Sequence, residues 1–167
     1  MKLKIKYKVK APECTPFINE QGEWFDLTVA ESSIFPAPYV DSTGKVQFRQ
    51  NLIDLGIAME LPKGIEAIIA SRSSTYYKRG ILQTNPPGVV DSSYSGNDDW
   101  WKFPAIAYKA VTIAKGERIC QFRLQPSQRA SIWTKIKWLF ISKIEFVKVT
   151  SLDKPNCGGF GSTKGYK

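Results

Sequence analysis

Asp91 ends a short apolar run, Val89-Val90, inside the segment Gly80–Gly96, GILQTNPPGVVDSSYSG. A carboxylate held just past a strand can orient and deprotonate a water molecule. Tyr94 follows three residues later, and Gly96 lets the chain turn. A second group, Arg72-Ser73-Ser74, follows the strand-like stretch Glu66–Ser71. A guanidinium, two hydroxyls and the free N–H groups of a turn suit a phosphate. Lys115-Gly-Glu-Arg-Ile-Cys-Gln121 reads as a turn entering a strand. Near the end, Gly158-Gly-Phe160-Gly161-Ser162-Thr163 combines close-approaching glycines, a flat aromatic face and two hydroxyls for an anion. Taken singly, each group is also what an ordinary polar turn or chain end looks like.

The composition narrows the chemistry further. The 167 residues contain no histidine. That excludes Ser-His and Cys-His nucleophiles and histidine metal sites, and leaves acid–base work to carboxylates, lysine, tyrosine or cysteine. Cys14, Cys120 and Cys157 are far apart and odd in number, which supports neither a zinc site nor a disulfide framework. A net charge of +9 attracts polyanions, among them nucleic acid, anionic membranes and nucleoside triphosphates. The start, MKLKIKYKVK, lacks the pattern of a secretory signal, and no stretch reaches the length of an apolar membrane span. With free cysteines, this points to the cytoplasm.

The elements that must position these groups read as strands. Leu3, Ile5, Tyr7 and Val9 alternate with lysines at 2, 4, 6, 8 and 10, a pattern that suits an edge strand. Further candidates are Trp24–Ala30, Ile57–Leu61, Glu66–Ser71, Ala105–Ile113, Ile119–Leu124 and Ile144–Val149, separated by Pro- and Gly-rich turns. Asn85-Pro-Pro-Gly88 is expected to close a hairpin between ILQT and Val89-Val90. Ser131–Phe140, SIWTKIKWLF, fits helix and strand alike. Many short strands with frequent turns predict one all-β barrel or sandwich domain.

Order and spacing carry more than any single group. Phe25-Asp26-Leu27, then Arg72-Ser73-Ser74, then Asn85…Gly88-Val-Val90-Asp91-Ser-Ser-Tyr94-Ser-Gly96, then Gly116-Glu-Arg118-Ile-Cys-Gln121, then Gly158–Thr163 resemble the five ordered motifs of the trimeric dUTPase family, and in particular its phage and Gram-positive subset. The resemblance spans about Asp26 to Thr163. It implies a β jelly-roll, β-clip type fold, a homotrimer with sites shared between subunits and C-terminal tail exchange, and magnesium-dependent hydrolysis of dUTP to dUMP and diphosphate.

By the same resemblance, Asp91 is the general base and Asp26 holds the hydration shell of Mg²⁺. Arg72, Ser73, Ser74 and Gln121 bind phosphates. Asn85, Gly88 and Val90 read uracil, and Tyr94 packs beneath the deoxyribose. Phe160 and Gly161 cover the base, while Ser162 and Thr163 bind the γ-phosphate. Residues 1–156 form the catalytic domain and 157–167 a mobile lid; 127–140 is an insertion and a candidate surface for a regulatory protein.

Some departures from the family pattern stand out. Pro155 occupies the place of the tail arginine, with Lys154 beside it as a substitute cation. Trp24 replaces a glycine, and Trp100-Trp101 either cover the base or pack between subunits. Of the rival readings, a dCTP deaminase needs a glutamate where Gly88–Gly96 offers only Asp91. A nucleic-acid-binding barrel needs aromatics interleaved with basic residues on one sheet face. A dUTP-binding regulatory trimer with weak hydrolysis is the alternative that the residues leave open.

Overall fold

The structure, a computed structural model, describes residues 1–18 and 22–159. In chain order its strands are β1 (Lys2–Val9), β2 (Phe17–Ile18), β3 (Phe25–Thr28), β4 (Ser33–Phe35), β5 (Tyr39–Val40), β6 (Val46–Gln47), β7 (Gln50–Asp54), β8 (Ile57–Glu60) and β9 (Ile65–Ser71). After helix α1 (Ser73–Arg79) come β10 (Ile81–Gln83), β11 (Gly88–Val90), β12 (Lys102–Ala107), β13 (Val111–Ile113) and β14 (Arg118–Pro126). Helix α2 (Ile132–Leu139) and β15 (Lys143–Lys148) follow. The all-β expectation holds.

Five strands in the order β11-β9-β14-β3-β2 form the largest sheet, beside two three-stranded sheets, β15-β1-β8 and β10-β12-β7, and two ribbons, β13-β4 and β5-β6. Alternation selects the buried faces. Ile65, Ala67 and Ile69 of β9, Phe103, Ala105 and Ala107 of β12, and Phe122 and Leu124 of β14 all enter one core. Trp101 meets Phe122 edge to face at 5.2 Å. Each fully buried side chain of this size contributes about 1.5–3 kcal/mol. A one-residue slip of β14 would expose Phe122 and Leu124 and bury Arg123, so the core fixes the register.

Four expectations change. β1 is a central strand, paired parallel with β15 and antiparallel with β8; its alternation reports one wet and one dry face, not a missing neighbour. Ala105–Ile113 is two strands, interrupted at Tyr108–Ala110. β10 and β11 do not pair with each other. β10 pairs with β12 and β11 with β9, so residues 84–87 cross between sheets. Arg72-Ser73-Ser74, expected as a turn, instead supplies the N-cap and first residues of a helix over Ser73–Arg79, and Ser131–Phe140 contributes α2, whose first turn is capped when Ser131 Oγ accepts from Thr134 N–H at 3.1 Å. Among the described residues, no helix is long and apolar enough to cross a membrane. Cys14 and Cys120 are buried free thiols and Cys157 an exposed one.

Candidate active site

β11 pairs with β9 through Gly88↔Ile69 and Val90↔Ala67, which fixes the backbone on which Asp91 follows. Asp91, Asn85, Gly88, Val90 and Tyr94 line one cavity of about 370 Å³, so the structure gathers the expected base, sugar and water-activating residues. Asn85 accepts weakly from Gln83 through its side-chain oxygen at 3.4 Å. Trp101, one of the two tryptophans considered for covering the base, lines the same cavity, as does Lys102, which was not foreseen.

Asp91 is held by a two-residue Asx turn. The Ser93 N–H and hydroxyl donate to its Oδ1 at 2.7 and 2.6 Å, while Oδ2 carries no hydrogen bond from the described residues. The Ser93 hydroxyl first, then the Ser93 N–H, hold the Asp91 carboxyl below its ordinary range, against a smaller opposing effect of burial. Burial, and then the charge of Asp99, push the Tyr94 hydroxyl up. That hydroxyl donates to the Trp100 carbonyl at 3.0 Å, which fixes the ring.

At the other end of β9, a cleft of about 260 Å³ is lined by Arg72, Ser74, Thr75, Lys78, Arg79 and Arg118, with Glu117 and Ile119 completing it. Asp26, only 5% exposed, accepts from Arg118 Nη1 at 3.2 Å and forms an ion pair with Arg72 Nε at 3.1 Å. Gln121 stands opposite both Asp26 and Ala70. No side chain caps the first turn of α1; the flanking Arg72 and Thr75 N–H groups donate to the Ile119 and Arg72 carbonyls at 3.1 and 3.0 Å, which leaves the Ser73 and Ser74 N–H groups as the ones available to an anion. Thr75, Lys78, Arg79 and Arg118 received no role from sequence; a helix over 73–79 would have grouped the first three, and Arg118 joins them through the pairing of β14 with β9. This cleft gathers cations suited to phosphates.

The two halves do not meet within one chain. Asp91 follows Val90, whose partner is Ala67, whereas Arg72, just past the end of β9, lies five residues beyond Ala67, roughly 17 Å along the strand direction.

The Lys154 ammonium donates to the Leu61 carbonyl at 2.6 Å and the Ser92 carbonyl at 3.5 Å. It ties the root of the tail and is not presented as a free substitute for the arginine. Trp101 is 1% exposed and belongs to the core, whereas Trp100 carries the ammoniums of Lys8 and Lys10 over its ring at 4.9 and 5.0 Å. Of the two, Trp101 reaches the cavity that contains Asp91. Cys157–Gly159 line the cavity of their own chain; a Cβ at Gly159 would stand 2.9 Å from the Tyr94 ring, so only glycine lets the backbone pass. Phe160, Gly161, Ser162 and Thr163 lie outside the described residues.

Comparison with known proteins gives one answer. The dUTPase family model matches residues 25–138. A prophage-derived deoxyuridine 5′-triphosphate nucleotidohydrolase of Bacillus subtilis is 41% identical, covering 98% of each chain. Among solved structures, a dUTPase of Streptococcus mutans aligns with a TM-score of 0.64 at 20% identity, covering 75% of this chain and 98% of that one. A mutant dUTPase of the Staphylococcus aureus phage phi11, described with a structural Mg(II) ion, aligns at 0.61 and 13% identity, covering 77% and 94%.

Proposed function

The chain belongs to the dUTPase family, and on that premise we propose that it hydrolyses dUTP to dUMP and diphosphate, with Asp91 as the base. The observation that carries this reading is the convergence of Asp91 with Asn85, Gly88, Val90 and Tyr94 on one cavity. Water held by the free Asp91 Oδ2 attacks the α-phosphorus. The new bond to the water oxygen forms as the bond to the bridging oxygen breaks. Diphosphate departs with that electron pair, and the water proton passes to Asp91 and then to solvent. A carboxylate of lowered pKa is a weak base, so the rate rests mainly on positioning and charge neutralisation. The backbone around Gly88 and Val90 and the Asn85 amide receive uracil, and Tyr94 packs against the deoxyribose.

The working unit in this reading is a homotrimer. The distance between the Asp91 cavity and the Arg72 cleft asks for a neighbouring copy to bring Arg72, Ser73, Ser74 and Gln121 to the phosphates. The outward face of β10-β12-β7 also offers apolar surface for an interface, with Leu52 53% and Leu82 43% exposed. We assign residues 157–167 as the lid, with Phe160 and Gly161 on the base and Ser162 and Thr163 on the γ-phosphate.

Magnesium fits this site as a companion of the triphosphate and not as a resident ion. Among the described residues no three acidic or thiol groups cluster as a metal cage. Each Asp26 oxygen, though engaged by a guanidinium, keeps a lone pair for a metal-bound water. When bound, the ion neutralises phosphate charge.

The test is diphosphate release from dUTP, dTTP, dCTP and UTP by wild type and Asp91→Asn, with and without Mg²⁺. Magnesium-dependent turnover of dUTP alone, abolished in the variant, is expected; turnover that survives the substitution removes Asp91 from its role.

A second reading adds regulation through a protein bound at α2. Ile132, Trp133, Leu139 and Phe140 are 65, 69, 79 and 68% exposed, so the apolar side of this helix faces solvent while Trp138 packs on the core. A pull-down dependent on dUTP and on 127–140 supports it, and indifference to both removes it.

A further inference from the structure

We propose that Asp99 is a positioning residue that couples the turn carrying Tyr94 to the root of the C-terminal lid. Its catalytic consequence rests on the dUTPase reading above; its structural consequence does not. Asp99 is 2% exposed. Its Oδ2 accepts from the Gly96 N–H at 2.8 Å, and its two oxygens accept from the Cys157 N–H at 3.1 and 3.0 Å. Its own N–H donates to the Gly96 carbonyl at 3.3 Å. One carboxylate therefore binds two backbone segments 61 residues apart, since Gly96 and Cys157 differ by that number.

A buried carboxylate is costly unless charge-assisted hydrogen bonds replace its water. Here every recorded partner of the side chain is a backbone N–H. The site is acceptor-only, which is why an isosteric amide does not fit: asparagine would turn an NH₂ toward Gly96 or Cys157 and set donor against donor.

The surroundings transmit the constraint in both directions. Tyr94 is tied by its hydroxyl to Trp100, the neighbour of Asp99. Gly96 forms a parallel bridge with Lys154, and a Cβ there would stand 2.6 Å from the Asn156 backbone nitrogen. Asn156 accepts from the Asp98 N–H at 2.8 Å and donates to the Asp98 carboxylate at 2.7 Å. Three residues beyond Asn156, Gly159 passes over the Tyr94 ring. The sugar platform and the lid thus share one anchor, and the lid starts from a fixed point.

The experiment has an arm that needs no turnover. In Asp99→Asn, amide hydrogen exchange at Cys157 should accelerate about tenfold or more, with exchange in β14 unchanged. Asn156→Ala, an exposed change that strikes the same strap from the other side, should accelerate Cys157 in the same direction. In kinetics, Asp99→Asn should raise KM for dUTP about tenfold with a smaller change in kcat. That factor should largely vanish in a Phe160→Ala background, where the lid no longer contributes. Unchanged exchange at Cys157, or a KM effect equally large in both backgrounds, overturns the proposal. Faster exchange throughout β14 overturns it too, by marking Asp99 as a residue that merely holds the fold. Failure of wild type to hydrolyse dUTP would remove the dUTPase reading while leaving the exchange result to judge Asp99.

Discussion

Ser93 grips Asp91 twice through a single carboxylate oxygen, with its N–H at 2.7 Å and its hydroxyl at 2.6 Å. The carboxylate is thereby oriented by its own chain before any substrate arrives. Because the hydroxyl is the main cause of the lowered Asp91 pKa, Ser93→Ala should let that pKa rise. The base acts deprotonated, so activity is lost as pH falls through the folded pKa. The acid limb of kcat/KM is therefore expected at higher pH in the variant, with kcat near neutrality reduced by less. A pH profile of both proteins checks this, and coincident acid limbs would sink it.

Asp91 and Arg72 lie at opposite ends of β9, so complementary defects should repair each other. Asp91→Asn and Arg72→Ala homotrimers are each expected to be inactive. Mixed after dissociation and reassembly, they should regain roughly a quarter of wild-type activity, since a random site draws an intact Asp91 and an intact Arg72 each half the time. A mixture that stays inactive although mass analysis shows mixed trimers would place both residues on the same chain's site.

Asp26 holds Arg72 and Arg118 at 3.1 and 3.2 Å. Asp26→Asn removes the carboxylate charge shared by two guanidiniums and should cost about 3 kcal/mol, measured by denaturant unfolding. Arg72→Lys keeps the charge but loses the fork, and should lower kcat/KM while leaving stability close to wild type.

The thiols should divide sharply. Cys157 is exposed, while burial pushes the Cys14 and Cys120 thiols up. Iodoacetamide on the native protein should label Cys157 alone by mass spectrometry. Since Cys157 lines the Asp91 cavity, dUTP should slow the labelling. Labelling of Cys120 ahead of Cys157 would contradict the burial seen here.

What the sequence made legible and what it hid have separate physical causes. Asp91 stood out locally as a carboxylate ending a short apolar strand, and the order and spacing of the motifs around it, not that local feature alone, gave it a role. Arg72 stood out likewise as the residue that follows β9. Helix α1 was hidden because seven residues with Tyr76 and Tyr77 in the middle show no full helical period. The pairing of β10 and β11 was misjudged because a short Asn-Pro-Pro-Gly loop resembles a hairpin, whereas each strand finds a better partner across the chain. Lys154 and Asp99 were out of reach for the same reason. Their partners, Leu61 and Gly96 with Cys157, are brought near only by the finished fold.

The parallel pairing of β1 with β15 imposes an order of events during synthesis. Lys2 meets Lys143, and Tyr7 meets Lys148, so β1 waits for a partner strand made 141 residues later, the separation of Lys2 from Lys143. At about 5–20 residues per second, that wait is on the order of 7–30 seconds. In the interval only Lys6–Val9 can be covered by β8, and the remaining ladder is open to any passing chain. The alternating lysines, which mark no edge in the mature molecule, then guard a temporary one. Replacing Lys2, Lys4 and Lys6 by threonine should leave the folded protein intact yet lower its soluble yield.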